Sequence, residues 1–234
     1  MSEDVTNRLD RGPTLRQALS VGAATGAYGI SFGALSVVAG LTVAQTCALS
    51  LLMFTGGSQF AFVGVIGAGG SPLAAGATAG LLGARNGLYG LQMAPVLGVR
   101  GLRRLLAAHL TIDESTAVAA AQPAPDLRRL GFWATGVTVF ALWNLMTLAG
   151  AVVGDALGDP RRWGLDAAAA AAFGGLLWPR LREGRARAVA AGAVVVASAL
   201  TPITPAGLPV LAAAVVAVAV GWRRLPRRPE GVRP

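Results

Sequence analysis

Polar residues interrupt this apolar sequence at three places. FTGGSQF (54–60) sets Gly56, Gly57, Ser58 and Gln59 inside an otherwise apolar run from Val43 to Ala68. GARNGLYGLQ (83–92) places Arg85, Tyr89 and Gln92 at i, i+4 and i+7, on one face of a helix. HLTIDES (109–115) holds His109, Asp113 and Glu114 within the largely apolar segment 105–121, with His109 and Asp113 one helical turn apart. Carboxylates at membrane depth can take up and release protons, and an imidazole beside them titrates near neutral pH. An arginine deep in an apolar span costs about 2.5–3.5 kcal/mol on insertion scales, so Arg85 needs a partner or a task.

Other chemistry is excluded by composition. All 20 basic residues are arginine, which removes a P-loop lysine, a Schiff-base lysine and a lysine general base. The chain alone is therefore no Walker-type ATPase. One cysteine and one histidine build no metal site without carboxylates, and Cys47 reads as a small buried hydrophobe. No cofactor is expected. The net charge of +9 comes from short arginine clusters between apolar runs, a pattern of membrane topology and not of nucleic-acid binding.

The elements that position these groups follow from hydropathy. Of the 234 residues, 54% are hydrophobic and 13% charged, with a mean hydropathy of +0.59, where a soluble domain has about 25% charged residues. Runs near the roughly 20 residues needed to cross a bilayer recur at 19–40, 72–98, 130–154, 188–202 and 207–222, with a shorter one at 164–179. The expectation is an all-α polytopic protein of the cell (plasma or inner) membrane, with a single integral membrane domain over 19–222. Residues 1–18 and the basic 223–234 are expected as cytoplasmic tails, and the first apolar segment as an uncleaved span.

Charge fixes more of the topology. If 43–68 crossed once, the next span would carry Arg100, Arg103 and Arg104 to the wrong side, against the positive-inside rule. A hairpin of two half-helices, broken at Gly56-Gly57-Ser58, removes the conflict. Residues 105–121 lie between two arginine clusters and are expected to enter and leave on the cytoplasmic side. The count is then about six full spans plus re-entrant or broken helices around a central site; the alternative is seven or eight plain spans. Arg161 and Arg162 fall outside in this scheme, partly offset by Asp155 and Asp159. Irregular backbone at membrane depth must be enclosed by protein or line a wet cavity, so the two broken segments point to a shared central site of the kind secondary transporters use. Gly22-x-x-x-Gly26 and Gly29-x-x-x-Gly33 read as helix-packing pairs, with Tyr28 and Ser31 on the opposite face. Trp143 and Asn144 read as packing, and the alanines 167–172 as a close-packed helix.

These residues resemble the AzlC family, the large subunits of two-component branched-chain amino acid exporters, over about residues 15–222. The resemblance rests on Gly29-Ile-Ser-Phe-Gly33, the F-T-G-G-S-Q-F segment, Arg85 with Leu88-Tyr89-Gly90, and Thr111-x-Asp113-Glu114. Gly83 and Asn86 depart from the residues the family often places beside this arginine. The resemblance implies export of neutral amino acids such as valine, leucine, isoleucine and methionine, driven by an ion or proton gradient. It also implies a small hydrophobic AzlD-type membrane subunit as partner.

A zwitterion needs donors for its carboxylate, an acceptor for its ammonium and a dry pocket for its side chain. The carboxylate is expected at the half-helix starting near Ser58, where free amides and the helix dipole favour an anion, assisted by Gln59, Arg85 and Tyr89. Asp113 or Glu114, beside His109, is expected to meet the ammonium or carry the coupling proton. Phe54, Phe60 and Phe62 form the apolar wall, and Gly56-Gly57 the hinge. Two rivals are weighed: a non-transporting assembly subunit, and an intramembrane serine protease with Ser58 as nucleophile and His109 as base. Against the protease, Gln59 stands where such enzymes favour glycine after the serine.

Overall fold

The computed structural model describes residues 2–157, 174–175, 177–178, 180–204 and 208–222. Among these, every regular element is helical. α1 (Ser2–Val38), α4 (Pro72–Leu97) and α7 (Pro125–Ala156) are long; α2 (Val43–Leu52), α3 (Gly57–Gly67), α5 (Leu102–His109) and α6 (Asp113–Ala120) are short. α8 (Gly184–Leu200) and α9 (Leu208–Trp222) follow a 3₁₀ turn at Arg180–Arg182. Arg161, Arg162, the alanines 167–172, nearly all of the span expected at 164–179 and the tail 223–234 lie outside the described residues. The polar N-terminal stretch is part of α1, which is continuous from Ser2.

Among the described residues, two helices have both the length and the apolarity to cross a membrane, Arg11–Val38 of α1 and all of α7. They cover two of the about six full spans expected from sequence. α4 has 26 residues, long enough at about 1.5 Å per residue, but Arg85, Asn86 and Gln92 lower its hydropathy. α8 and α9 have 17 and 15 residues.

α1 and α7 form the spine, and the small residues explain it. A Cβ at Gly22 would meet Thr138, at Gly26 Leu142, and at Gly33 the carbonyl of Thr147, while Gly150 meets Ile30 and Gly154 meets Ala34. The contacts advance together along both chains, so the two helices run parallel, backbone against backbone. This is the packing role read from the glycine pairs. Phe32 and Trp143 stack across the seam with ring centroids 5.9 Å apart, and Phe60 of α3 meets Phe32 edge-on at 5.5 Å.

The two broken segments are both hairpins, and they enter from opposite ends. α2 starts four residues after Ala39, and at the end of α3 a Cβ on Gly67 would lie 3.2 Å from the Ala39 side chain; both outer ends therefore sit beside the end of α1. Thr42 caps α2, its Oγ1 accepting from Gln45 N–H at 3.2 Å while Gln45 Oε1 accepts from Thr42 N–H at 2.9 Å. Ser71 caps α4 with Pro72 in its first turn, and α4 runs back to the other end, where Arg129 Nε donates to Val96 O at 2.9 Å. Gly98, in the left-handed region, ends α4. α5 begins there, and after α6 the chain returns to the same end: Gln122 Nε2 donates to Gln17 at 2.9 Å and Arg128 Nε to Gln122 O at 2.8 Å. Arg128, Arg129 and the segment Arg100–Arg104 that leads into α5 thus share one end of the bundle, the α2–α3 mouth the other.

The break in the first hairpin is not where the glycines suggest. It spans Met53–Gly56, and Gly57 and Ser58 already belong to α3. Gly56, at φ +55°, makes the sharp entry that an L-residue tolerates poorly. The non-helical residues before it are held by packing: the Phe54 ring lies 5.1 Å from Phe140, edge-on.

Candidate functional site

The two hairpin tips meet halfway along the spine and close a cavity of about 450 Å³. Each tip is built alike. Gln59 Oε1 accepts from Gly56 N–H at 3.2 Å, and Ser115 Oγ accepts from Ile112 N–H at 3.1 Å. In both, the third residue of the second half-helix reaches back to the residue that caps it. Thr55 and Thr111 stand at matching places just ahead of those caps. A long helix followed by a hairpin, then the same pair upside down, is the arrangement of inverted-repeat transport folds with half-helix ends at the middle.

Into this cavity α4 brings Arg85. Its Nη2 lies 2.7 Å from Asp113 Oδ2, with the two side chains 36% and 37% exposed. The first amides of α3, at Gly57 and Ser58, precede the first intrahelical bonds, which are made by Gln59 N–H and Phe60 N–H to Gly56 O. Arg85 stands against that end: a Cβ at position 57 would sit 3.4 Å from Nη2, in van der Waals contact with the guanidinium. Glu114, next to Asp113, lines the cavity together with Thr25 of α1. Both acids occupy the first turn of α6, where the helix dipole favours negative charge. Phe54, Phe60, Val139 and Trp143 complete an apolar wall, and Tyr28 closes one side. The cavity lies within the range of small-molecule sites, roughly 300–1,000 Å³.

Of the residues singled out in the sequence, Phe54, Gly56, Gly57, Phe60, Arg85, Asp113 and Glu114 line this cavity together. Ser58 and Gln59 stand behind it, 1% and 0% exposed. Ser58 Oγ has no hydrogen-bond partner and faces α4, where a Cβ on Gly83 would meet it at 3.4 Å. Gln59 Nε2 donates to Leu49 O at 3.3 Å and to Ser50 O at 3.5 Å, so its amide staples the two arms of the first hairpin. Tyr89 is half-buried off the cavity wall, and Gln92 is exposed.

His109 and Asp113 do not share a helical turn. α5 ends at His109 and α6 starts at Asp113, because Thr111 Oγ1 bonds back to Ala107 O at 2.7 Å and Ser115 captures Ile112 N–H. His109 turns to Phe54 and Phe140, 5.9 and 5.5 Å between centroids, on the wall of a second, larger cavity. With Ser58 Oγ unpartnered, no Ser58–His109 pair exists. Among the described residues no group of three or more His, Cys, Asp or Glu comes together to hold a metal ion.

Trp143 and Thr25 line the cavity although the sequence reading gave them a packing role or none, and Tyr28, read as able to reach a cavity from the face opposite the glycine pairs, lines it too.

Apolar helices around an enclosed polar centre define a helical membrane protein. A family model described as AzlC protein matches residues 20–157, more than half of the chain, and the chain belongs to the AzlC family. No curated protein and no solved structure shows significant similarity to it.

Proposed function

We propose that this chain is the transport subunit of a secondary exporter of neutral, mainly branched-chain amino acids. The observation that carries the reading is the juxtaposition of Arg85 and Asp113 at the free amide end of α3, beside an apolar wall. A zwitterion presents the same two charges as that ion pair. Its carboxylate would be held by Arg85 and the first amides of α3, its ammonium by Asp113, and its side chain by Phe54, Phe60 and Val139. Glu114, in the same cavity, would carry the coupling proton. Net export then needs no nucleotide, in keeping with a chain that lacks lysine.

In this reading the arginine-rich end is cytoplasmic, both termini face the cytoplasm, the hairpins are re-entrant, and the protein spans the plasma or inner membrane. A small AzlD-type subunit covers part of the exposed apolar surface of the bundle, which includes Leu81, Leu88 and Leu91 of α4. The chain is a carrier and not an enzyme.

Counterflow of labelled valine in liposomes, with and without the small subunit and at varied pH, tests this. Exchange by the wild type that Asp113→Asn and Arg85→Ala abolish supports the reading. No substrate-dependent flux with the partner present supports an assembly role instead.

A further inference from the structure

A second cavity, of about 980 Å³, lies on the other side of the first hairpin tip. Its lining runs from Gly40, Leu41 and Pro72, at the end of the bundle away from the arginines, to Asn86, His109 and Thr111 at mid-height. The two cavities have two wall residues in common, Phe54 and Thr55. Around them, neighbouring residues face opposite ways. Arg85 and Ile112 line the inner cavity, while Asn86 and Thr111 line the outer one. A single layer of chain therefore separates the ion-pair site from a channel to one end of the molecule.

That layer lies outside the helices. Phe54 and Thr55 belong to the non-helical Met53–Gly56 break, and no helix holds their backbone. The Phe54 ring is kept in place from the side, by Phe140 and His109. Buried polar atoms without partners gather here: Thr55 Oγ1, Asn86 Oδ1 and Arg85 Nε. A buried polar atom left unpaired is unfavourable. Opening of this layer would let water or a passing ligand pair with these atoms. The staple from Gln59 to Leu49 and Ser50 holds the hairpin arms together while the tip shifts.

We infer that the larger cavity is a substrate vestibule, and that Phe54 with Thr55 is the gate between it and the ion-pair site. This rests on the export reading above. The vestibule suits neutral amino acids with apolar side chains, since Leu49, Leu52, Phe62 and Ile66 form its sides. His109 is a positioning residue of the gate, acting through the Phe54 ring.

Thiol accessibility tests the inference independently of transport. In the full chain with Cys47→Ala, reconstituted with its partner, a cysteine is placed in the vestibule (Ala48→Cys) or on the inner wall (Val139→Cys). A charged, membrane-impermeant thiol reagent is then applied from the arginine-poor side. Ala48→Cys is expected to react, and Val139→Cys to react only slowly. Adding Phe54→Ala is expected to speed the inner site by about tenfold or more, since a closed site reacts only through an open state populated at roughly 10% or less. Phe54→Leu, which keeps more of the packing, gives an intermediate rate and guards against a misfolded alanine variant.

An unreactive Ala48→Cys would mean that lipid or the partner fills the cavity, and would overturn the vestibule. Equal reactivity of Val139→Cys with Phe54 intact or removed would overturn the gate. The expected thiol pattern, without counterflow of any amino acid by the parent protein that carries only Cys47→Ala, would uphold the gate and refute the export reading.

Discussion

Arg85 of α4 and Asp113 at the tip of α6 are joined by a 2.7 Å ion pair that ties a long helix to the hairpin entering from the arginine-rich end. More than a third of each side chain is exposed, so the pair contributes at most about 1 kcal/mol to stability. In the proposed site it holds two opposite charges side by side at the start of α3. Asp113→Asn is therefore expected to leave thermal unfolding in detergent nearly unchanged. It should slow amino-acid counterflow at least about tenfold, because a hydrogen bond to a charged group is worth roughly 1.5–3 kcal/mol and 1.4 kcal/mol is a factor of ten. A large fall in the melting temperature with normal flux would assign the pair to stability instead.

Gly57 is the space in which Arg85 lies. A Cβ would sit 3.4 Å from the guanidinium, and the branches of valine would come closer. Gly57→Val is expected to displace Arg85 and lower exchange strongly while the protein still inserts and purifies as a single species. Gly57→Ala, whose Cβ would make only a van der Waals contact, is expected to exchange near the wild-type rate, measured by the same counterflow.

Gln59 gives the opposite pattern. Its amide group makes three hydrogen bonds within the first hairpin while fully buried. Gln59→Ala removes them and leaves the Gly56 amide unpaired, at a cost of about 2 kcal/mol or more. The expected result is a lower melting temperature, with the KM for substrate near the wild-type value in the protein that remains folded. A raised KM at unchanged stability would put Gln59 on the substrate.

The α1–α7 seam makes a stability prediction. Gly33→Leu would drive a side chain into the Thr147 carbonyl, and Gly150→Leu into that of Ile30. Both are expected to prevent accumulation of folded protein. Gly76→Ala, with no atom within 4 Å, is expected to be tolerated, as expression and size-exclusion profiles would report.

Both hairpins were legible in the sequence, because charge topology and the rule against unpaired backbone in lipid act on residue types alone. Arg85 and Asp113 were legible as a pair of needs, a cation without a partner and an acid at membrane depth. Where each break falls was not. Glycines mark conformational freedom, yet Gly57 serves as open space at the start of α3, while Phe54 is held outside any helix by Phe140, a contact across 86 residues of sequence. Gln59 looked available for substrate because it is polar in an apolar run; the carbonyls of Leu49 and Ser50 that occupy it come close only once the hairpin forms. His109 and Asp113 looked like one helical face until the Thr111 and Ser115 side chains claimed the backbone between them. The likeness of the two tips rests on Gln59 and Ser115, different residue types doing the same capping work, and so is visible only in the structure.

The most direct test of the account is competition by amino-acid derivatives in counterflow of labelled leucine. If Arg85 and Asp113 read the two charges of a zwitterion, free leucine competes, whereas N-acetyl-leucine, which lacks the ammonium, and leucine methyl ester, which lacks the carboxylate, do not. Competition by either derivative as strong as that by leucine itself would contradict recognition of the zwitterion by this pair.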